Sequence, residues 1–160
     1  QYYVDCQNDE DKFEYFQDIY NKLSVNQALI YVNTVDNATK LRDDLIAEGH
    51  KVEVMYGSLQ PVERNHIMQS FRKGEIRILI STDLLARGID VQQVSIVINY
   101  DFPKTKDKES YIHRIGRSGR YGRKGTAINL ITTREWRDMK NVEAFYKTTI
   151  QELTNLNDIS

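Results

Sequence analysis

Residues 28–32, Ala28-Leu29-Ile30-Tyr31-Val32, form an unbroken apolar run of strand length; Asn33-Thr34 follow at once, and Val35, Ala38, Leu41 and Leu45 then recur at helical spacing as far as Gly49. A strand with no polar face must be covered on both sides, which is the situation of a central strand in a parallel sheet. Downstream, Val52 to Met55 predicts another strand, and Pro61 opens a helix carrying Ile67, Met68 and Phe71 that Gly74 closes. Arg77 to Ser81, Val94 to Tyr100 and Thr126 to Ile131 predict three more strands, before a last helix with Trp136, Met139, Val142, Phe145 and Tyr146. Upstream, Gln1 to Cys6 reads as a strand; Phe13, Phe16, Ile19, Tyr20 and Leu23 follow at helical spacing behind the acidic Asp9, Glu10 and Asp11. Together these predict an α/β fold, a single doubly wound parallel sheet with helices on both faces. In such sheets ligands bind at the carboxyl ends of the strands. Asn33-Thr34, Tyr56-Gly57-Ser58, Thr82-Asp83 and Asn99-Tyr100-Asp101 all fall there, a cluster of small and polar side chains.

The chain has 160 residues, 40% apolar and 28% charged, which fits one domain over 1–160 with enough core to need no metal or disulfide. Cys6 is the only cysteine, which favours a reducing compartment, and no apolar run reaches transmembrane length. A soluble intracellular protein is expected. The net charge of −1 conceals an uneven distribution: Lys104 to Lys124 holds eight basic residues against two acidic ones, set in a remainder of −7.

That block contains the segment Tyr111-Ile112-His113-Arg114-Ile115-Gly116-Arg117-Ser118-Gly119-Arg120-Tyr121-Gly122-Arg123-Lys124-Gly125. Guanidinium groups at three-residue spacing are planar, permanently charged forks for phosphate oxygens, and the interleaved glycines allow close backbone approach. The bland reading is a solvated basic loop. Collagen is excluded by the short repeat without proline, and a single-loop KH module by the number of strands.

Two further segments offer phosphate chemistry. Ser81 to Asp90 follows an apolar strand and presents the Thr82 hydroxyl, Arg87, Gly88 and the carboxylates Asp83 and Asp90, suited to a phosphodiester on one side and a ribose hydroxyl on the other. Asp83 reads equally well as a helix cap. Tyr56 to Arg64 is a glycine turn running into a helix whose first-turn N–H groups favour phosphate, with Arg64 one turn along; a well-made helix start explains it as well.

Other signals are weaker. His50 and His66 read as surface residues, Trp136 reads as core, and no residue spacing resembles a metal site. No G-x-x-x-x-G-K-[ST] phosphate loop occurs, so the domain by itself is expected neither to hold ATP tightly nor to hydrolyse it.

Read together, these segments resemble the C-terminal RecA-like domain of DEAD-box RNA helicases: Ala28 to Thr34 is similar to the family's motif IV, Gln60 and Arg64 to its Q-x-x-R element, Ser81 to Asp90 to motif V, and His113 to Arg120 to motif VI. The similarity spans nearly the whole chain. Within the family, Asp90 to Ser95 and Asn99-Tyr100-Asp101 look most like the translation initiation factor 4A group and its nuclear paralogue, although the connection before Tyr111 is longer. The resemblance implies that Arg117 and Arg120 are arginine fingers for ATP, that Asp90 binds its ribose beside Gly88, and that His113 and Arg114 relay between nucleotide and domain interface. It further implies RNA-phosphate contacts from Asn33, Thr34, Gly57, Gln60, Arg64, Thr82 and Gly88, with Arg87 holding motif V. The implied cofactor is ATP, with Mg²⁺ held by an N-terminal RecA-like domain outside this chain. The implied partners are RNA bound without base reading, that N-terminal domain and a scaffold protein of the initiation-factor 4G type. No membrane partner is expected, and the compartment implied is the cytoplasm, with the nucleus left open. A non-enzymatic RNA-binding or adaptor domain, and a DNA-directed relative, are the alternatives.

Overall fold

The computed structural model describes residues 1–23, 26–82, 96–115 and 126–156. Seven strands, β1 (Tyr2–Asp5), β2 (Ala28–Val32), β3 (Val52–Met55), β4 (Ile78–Thr82), β5 (Ile96–Asn99), β6 (Thr126–Ile131) and β7 (Gln151–Glu152), form one sheet in the order β3-β4-β2-β5-β6-β1-β7. Every pairing is parallel. Among the described residues five helices accompany them: α1 (Asp9–Lys22), α2 (Val35–Ala47), α3 (Pro61–Arg72), α4 (Glu109–Ile115) and α5 (Trp136–Tyr146).

The pleat explains how one apolar strand serves two cores. Ala28, Ile30 and Val32 point to one face with Ile78, Ile80, Ile96 and Ile98, where Phe16 and Ile19 of α1 and Ala38, Leu41 and Leu45 of α2 cover them. Leu29 and Tyr31 point to the other face with Leu79 and Val97, under Ile67, Met68 and Phe71 of α3. On that second face α5 adds Met139 and Val142 against Phe102, Tyr111 and Ile131. Helices therefore cover both sides of the sheet, as expected from the sequence.

Helix ends follow local chemistry. The Asn8 side chain accepts from Asp11 N–H at 2.9 Å while the Asp11 carboxylate accepts from Gln7 N–H at 3.0 Å. Thr34 caps α2 through Asn37 N–H at 3.1 Å, and a reciprocal box between Thr132 and Glu135 precedes α5. Gly74 closes α3 at φ +81°, a left-handed position that costs glycine nothing.

The structure corrects the sequence reading in a few places. Trp136 is not core: it is 41% exposed, with its ring met edge-on by Tyr3 and covered by the Lys140 ammonium. It sits in the first turn of α5, where Met139 and Val142 occupy the buried stripe instead. His50 is half-buried and its Nε2 donates to Gln17 Oε1 at 2.8 Å, and burial pushes its pKa down, whereas His66 is exposed. The segment before Tyr111 contains a single 3₁₀ turn, Thr105–Asp107, anchored by the Asp138 carboxylate, and leads into α4.

Candidate functional site

Because all strands run the same way, their carboxyl ends share one edge of the sheet, and the side chains at that edge are tied together by Arg114. Arg114 lies on α4 and is 0% exposed. Its guanidinium donates to Asn33 Oδ1 at 2.7 Å, to Asn99 Oδ1 at 3.0 Å and to the Asp101 carbonyl, and it stands over the Tyr31 ring at 5.4 Å. Asn33 is further fixed by its N–H donating to Asp101 Oδ2 at 2.9 Å and its amide donating to the Phe102 carbonyl at 3.0 Å. The ends of β2 and β5 and the last turn of α4 are thereby held in one arrangement.

A second cation stands beside it. Lys12 is 2% exposed on the stripe of α1 that carries Phe16 and Ile19. Its ammonium donates to the Tyr100 carbonyl at 2.7 Å and to Glu135 Oε1 at 2.6 Å, with Asp101 Oδ1 3.9 Å away. Glu135 in turn accepts from Phe102 N–H at 2.7 Å and from the Thr132 N–H and hydroxyl. Ion pairing and satisfied hydrogen bonds together offset the cost of burying these charges. Deeper in the sheet, Asn99 donates to Asn129 Oδ1 at 2.8 Å, and Asn129 donates to the Tyr111 hydroxyl at 3.2 Å. Burial pushes the Tyr111 phenol up to about 12, the Asn129 amide opposing it in part.

The sequence-derived candidates fall around this frame. Thr34 is exposed and occupied as the cap of α2; Gly57 is exposed in the turn after β3. Gln60 occupies the N-cap of α3 without making a side-chain cap bond, so the first-turn N–H groups there are not consumed by it. Two polar atoms near the edge are shielded yet unpaired among the described residues: the Thr82 hydroxyl at the end of β4, and Nε of the half-buried Arg64. Both are donors of the kind a phosphate oxygen satisfies. His113 is half-buried on α4. Asp83, Arg87, Gly88, Asp90, Arg117 and Arg120 lie outside the described residues, as do Gly116, Gly119, Gly122 and Gly125.

Lys12, Glu135 and Asn129 were not singled out from the sequence, and Asn99 was read only as one of the polar residues at the strand ends. The signals were present: a lysine at i−4 and i−7 from Phe16 and Ile19, an asparagine closing the apolar run of β5, and another within the largely apolar β6.

Residues 11–122 match the family model described as the helicase conserved C-terminal domain. Among curated proteins, the chain is 52% identical to the ATP-dependent RNA helicase FAL1 of Candida albicans and 51% identical to the ATP-dependent RNA helicase eIF4A of Eremothecium gossypii, each over 160 residues. Each alignment covers 99% of this chain and 40% of the relative, so the chain spans about two fifths of their length. Among solved structures, the C-terminal domain of the DEAD-box protein Dbp5 superposes with a TM-score of 0.84 at 37% identity, covering 95% of this chain and 88% of that one. Saccharomyces cerevisiae Dbp5 L327V bound to RNA and ADP BeF3 superposes with a TM-score of 0.89 at 35% identity, covering 99% of this chain and 43% of that one.

Proposed function

The chain belongs to the helicase C-terminal domain family, as the C-terminal RecA-like domain of a DEAD-box protein, and on that footing we propose that it is the carboxyl-terminal half of an ATP-dependent RNA helicase of the eIF4A and FAL1 kind. The observation that carries the reading is the burial of Arg114 against Asn33, Asn99 and Asp101. It anchors the start of the arginine–glycine segment to the ligand edge, and Arg117 and Arg120 follow three and six residues later in the sequence. Arg114 itself is a positioning residue, since its guanidinium is committed to the fold.

RNA is bound through its phosphates along the edge, by the backbone at Gly57 and the start of α3, by Arg64 and by the Thr82 hydroxyl. The two unpaired donors support this, because each gains a partner when a phosphate oxygen arrives. Thr34, Gln60, Arg87 and Gly88 complete that surface, while Asn33 contributes by shaping it. Contacts of this type do not read base sequence, and affinity falls as salt rises.

The donor set also fits ATP: guanidinium forks for a phosphate and the Asp90 carboxylate for ribose hydroxyls. ATP supplies the phosphoryl group whose transfer is accelerated mainly by charge stabilisation. Arg117 and Arg120 provide that stabilisation from this side, with His113 at the domain interface and Gly88 beside the nucleotide. The phosphate loop and Mg²⁺ ligands belong to an N-terminal domain, so closure of two domains assembles the site, and the 160 residues alone are inactive. On the same reading the protein works in the cytoplasm with a scaffold protein of the initiation-factor 4G type; among the described residues no helix is long and apolar enough to cross a membrane.

The test uses the chain joined to its N-terminal domain. Arg120→Ala should lower RNA-stimulated ATP turnover by roughly a thousandfold while RNA binding persists. Near-normal turnover would refute the arginine-finger role, and turnover by the 160 residues alone would refute the two-domain reading.

A further inference from the structure

Helices α1 and α2, with Tyr100 and Asp101 after β5, line a cavity of about 340 Å³ open to solvent. Phe13, Leu41 and Tyr100 contribute apolar surface to it. Asp9, Glu10 and Glu14 line it from α1 and Asp44 from α2, with Lys40 as the one cation among its lining residues. None of these four carboxylates has an ion-pair partner among the described residues. Asp101 also reaches the cavity, but its carboxylate is taken by Asn33, Asn37 and Lys12.

We propose that this groove docks a linear protein segment that alternates basic and apolar side chains, lysine or arginine for the acidic rim and leucine or an aromatic ring for the floor. Charge decides the occupant. A polyphosphate chain is repelled by four unpaired carboxylates, whereas a basic segment gains attraction at the rim and buries apolar area at the floor. The crowding of negative charge is felt by the Tyr100 phenol, whose proton is held by burial and then by Asp9, Asp101 and Asp44. The groove is separate from the RNA edge in its chemistry, and the inference does not rest on the helicase reading.

The probes are a short peptide alternating arginine and leucine, the same peptide with glutamate for arginine, and an oligouridylate, each titrated into the isotope-labelled chain and followed by NMR. The basic peptide should saturate, with shifts centred on Phe13 and Leu41. Asp44→Lys should weaken it about tenfold and Lys40→Glu should strengthen it, a pair of opposite effects that misfolding does not produce. Absence of saturable shifts, equal binding of the acidic peptide, indifference to both substitutions, or displacement by oligouridylate would each overturn the proposal.

Discussion

Arg114 and Asn33 are 81 positions apart in sequence, yet the fully buried guanidinium donates to Asn33 Oδ1 at 2.7 Å. One side chain from α4 thus fixes the loop at the end of β2. Removing it strands the oxygens of Asn33, Asn99 and Asp101 in the interior and leaves a cavity under Tyr31. Arg114→Ala should therefore lower unfolding free energy by about 3 kcal/mol or more in urea titration. Arg114→Lys keeps the charge but not the fork, and should recover only part of the loss. A change below about 0.5 kcal/mol in both variants would show that the network is not structural.

The buried pair of Lys12 and Glu135 makes a coupled prediction. Lys12→Met leaves the Glu135 carboxylate short of its cation, and Glu135→Gln leaves the ammonium short of its anion. Each single change should cost about 3 kcal/mol, whereas the double change should cost clearly less than their sum, because neither Lys12 nor Glu135 is then left as a charge facing a neutral partner. Thermal and denaturant unfolding of the four proteins in parallel measures the coupling; strict additivity would contradict it.

Most of the scaffold was legible from residue patterns, and the reasons for the rest are physical. β2, β3, β6 and α5 announce themselves because each is an apolar run or stripe bounded by polar or glycine residues. α4 is short and charged, so its seven residues carry little periodicity, and β7 is only two residues long and exists by pairing with β1. Trp136 looked like core because aromatic residues usually bury their area; its place in the first turn of α5 puts it at the rim instead. The site shows the same division. Thr34, Gln60, Arg64 and Thr82 could be named from local motifs. That Asn33 serves Arg114, or that Lys12 meets Glu135, depends on contacts between distant segments, which no local pattern carries.

Cys6 and Tyr111 give a pH dependence with a definite sign. Burial pushes the Cys6 thiol from its ordinary 9.0 up to about 12, and the Tyr111 phenol from 10.0 up to about 12. Both groups lose their protons more readily when unfolded. Their contribution to stability is complete below about pH 9 and disappears as pH rises toward 12. Urea midpoints should accordingly fall across that alkaline window, and Cys6→Ala should flatten its lower part. Iodoacetamide should label Cys6 at pH 8 far more slowly in the folded chain than in urea, since a buried neutral thiol is a poor nucleophile; equal labelling rates would contradict its burial.

The sharpest prediction concerns the Thr82 hydroxyl, shielded at the end of β4 without a hydrogen-bond partner among the described residues. Thr82→Val is close to isosteric and removes a buried polar group that the fold leaves unsatisfied. The variant should be as stable as the parent or more so, by up to about 1 kcal/mol. If the hydroxyl serves RNA, the same change should weaken binding of an oligouridylate by about threefold to tenfold in the two-domain protein, the worth of one hydrogen bond. The salt dependence of binding should stay the same, because no charge has been removed. Stability and affinity then move in opposite directions, a result that a damaged fold cannot mimic; a loss of both would mean that Thr82 has a structural partner and is not held ready for a phosphate.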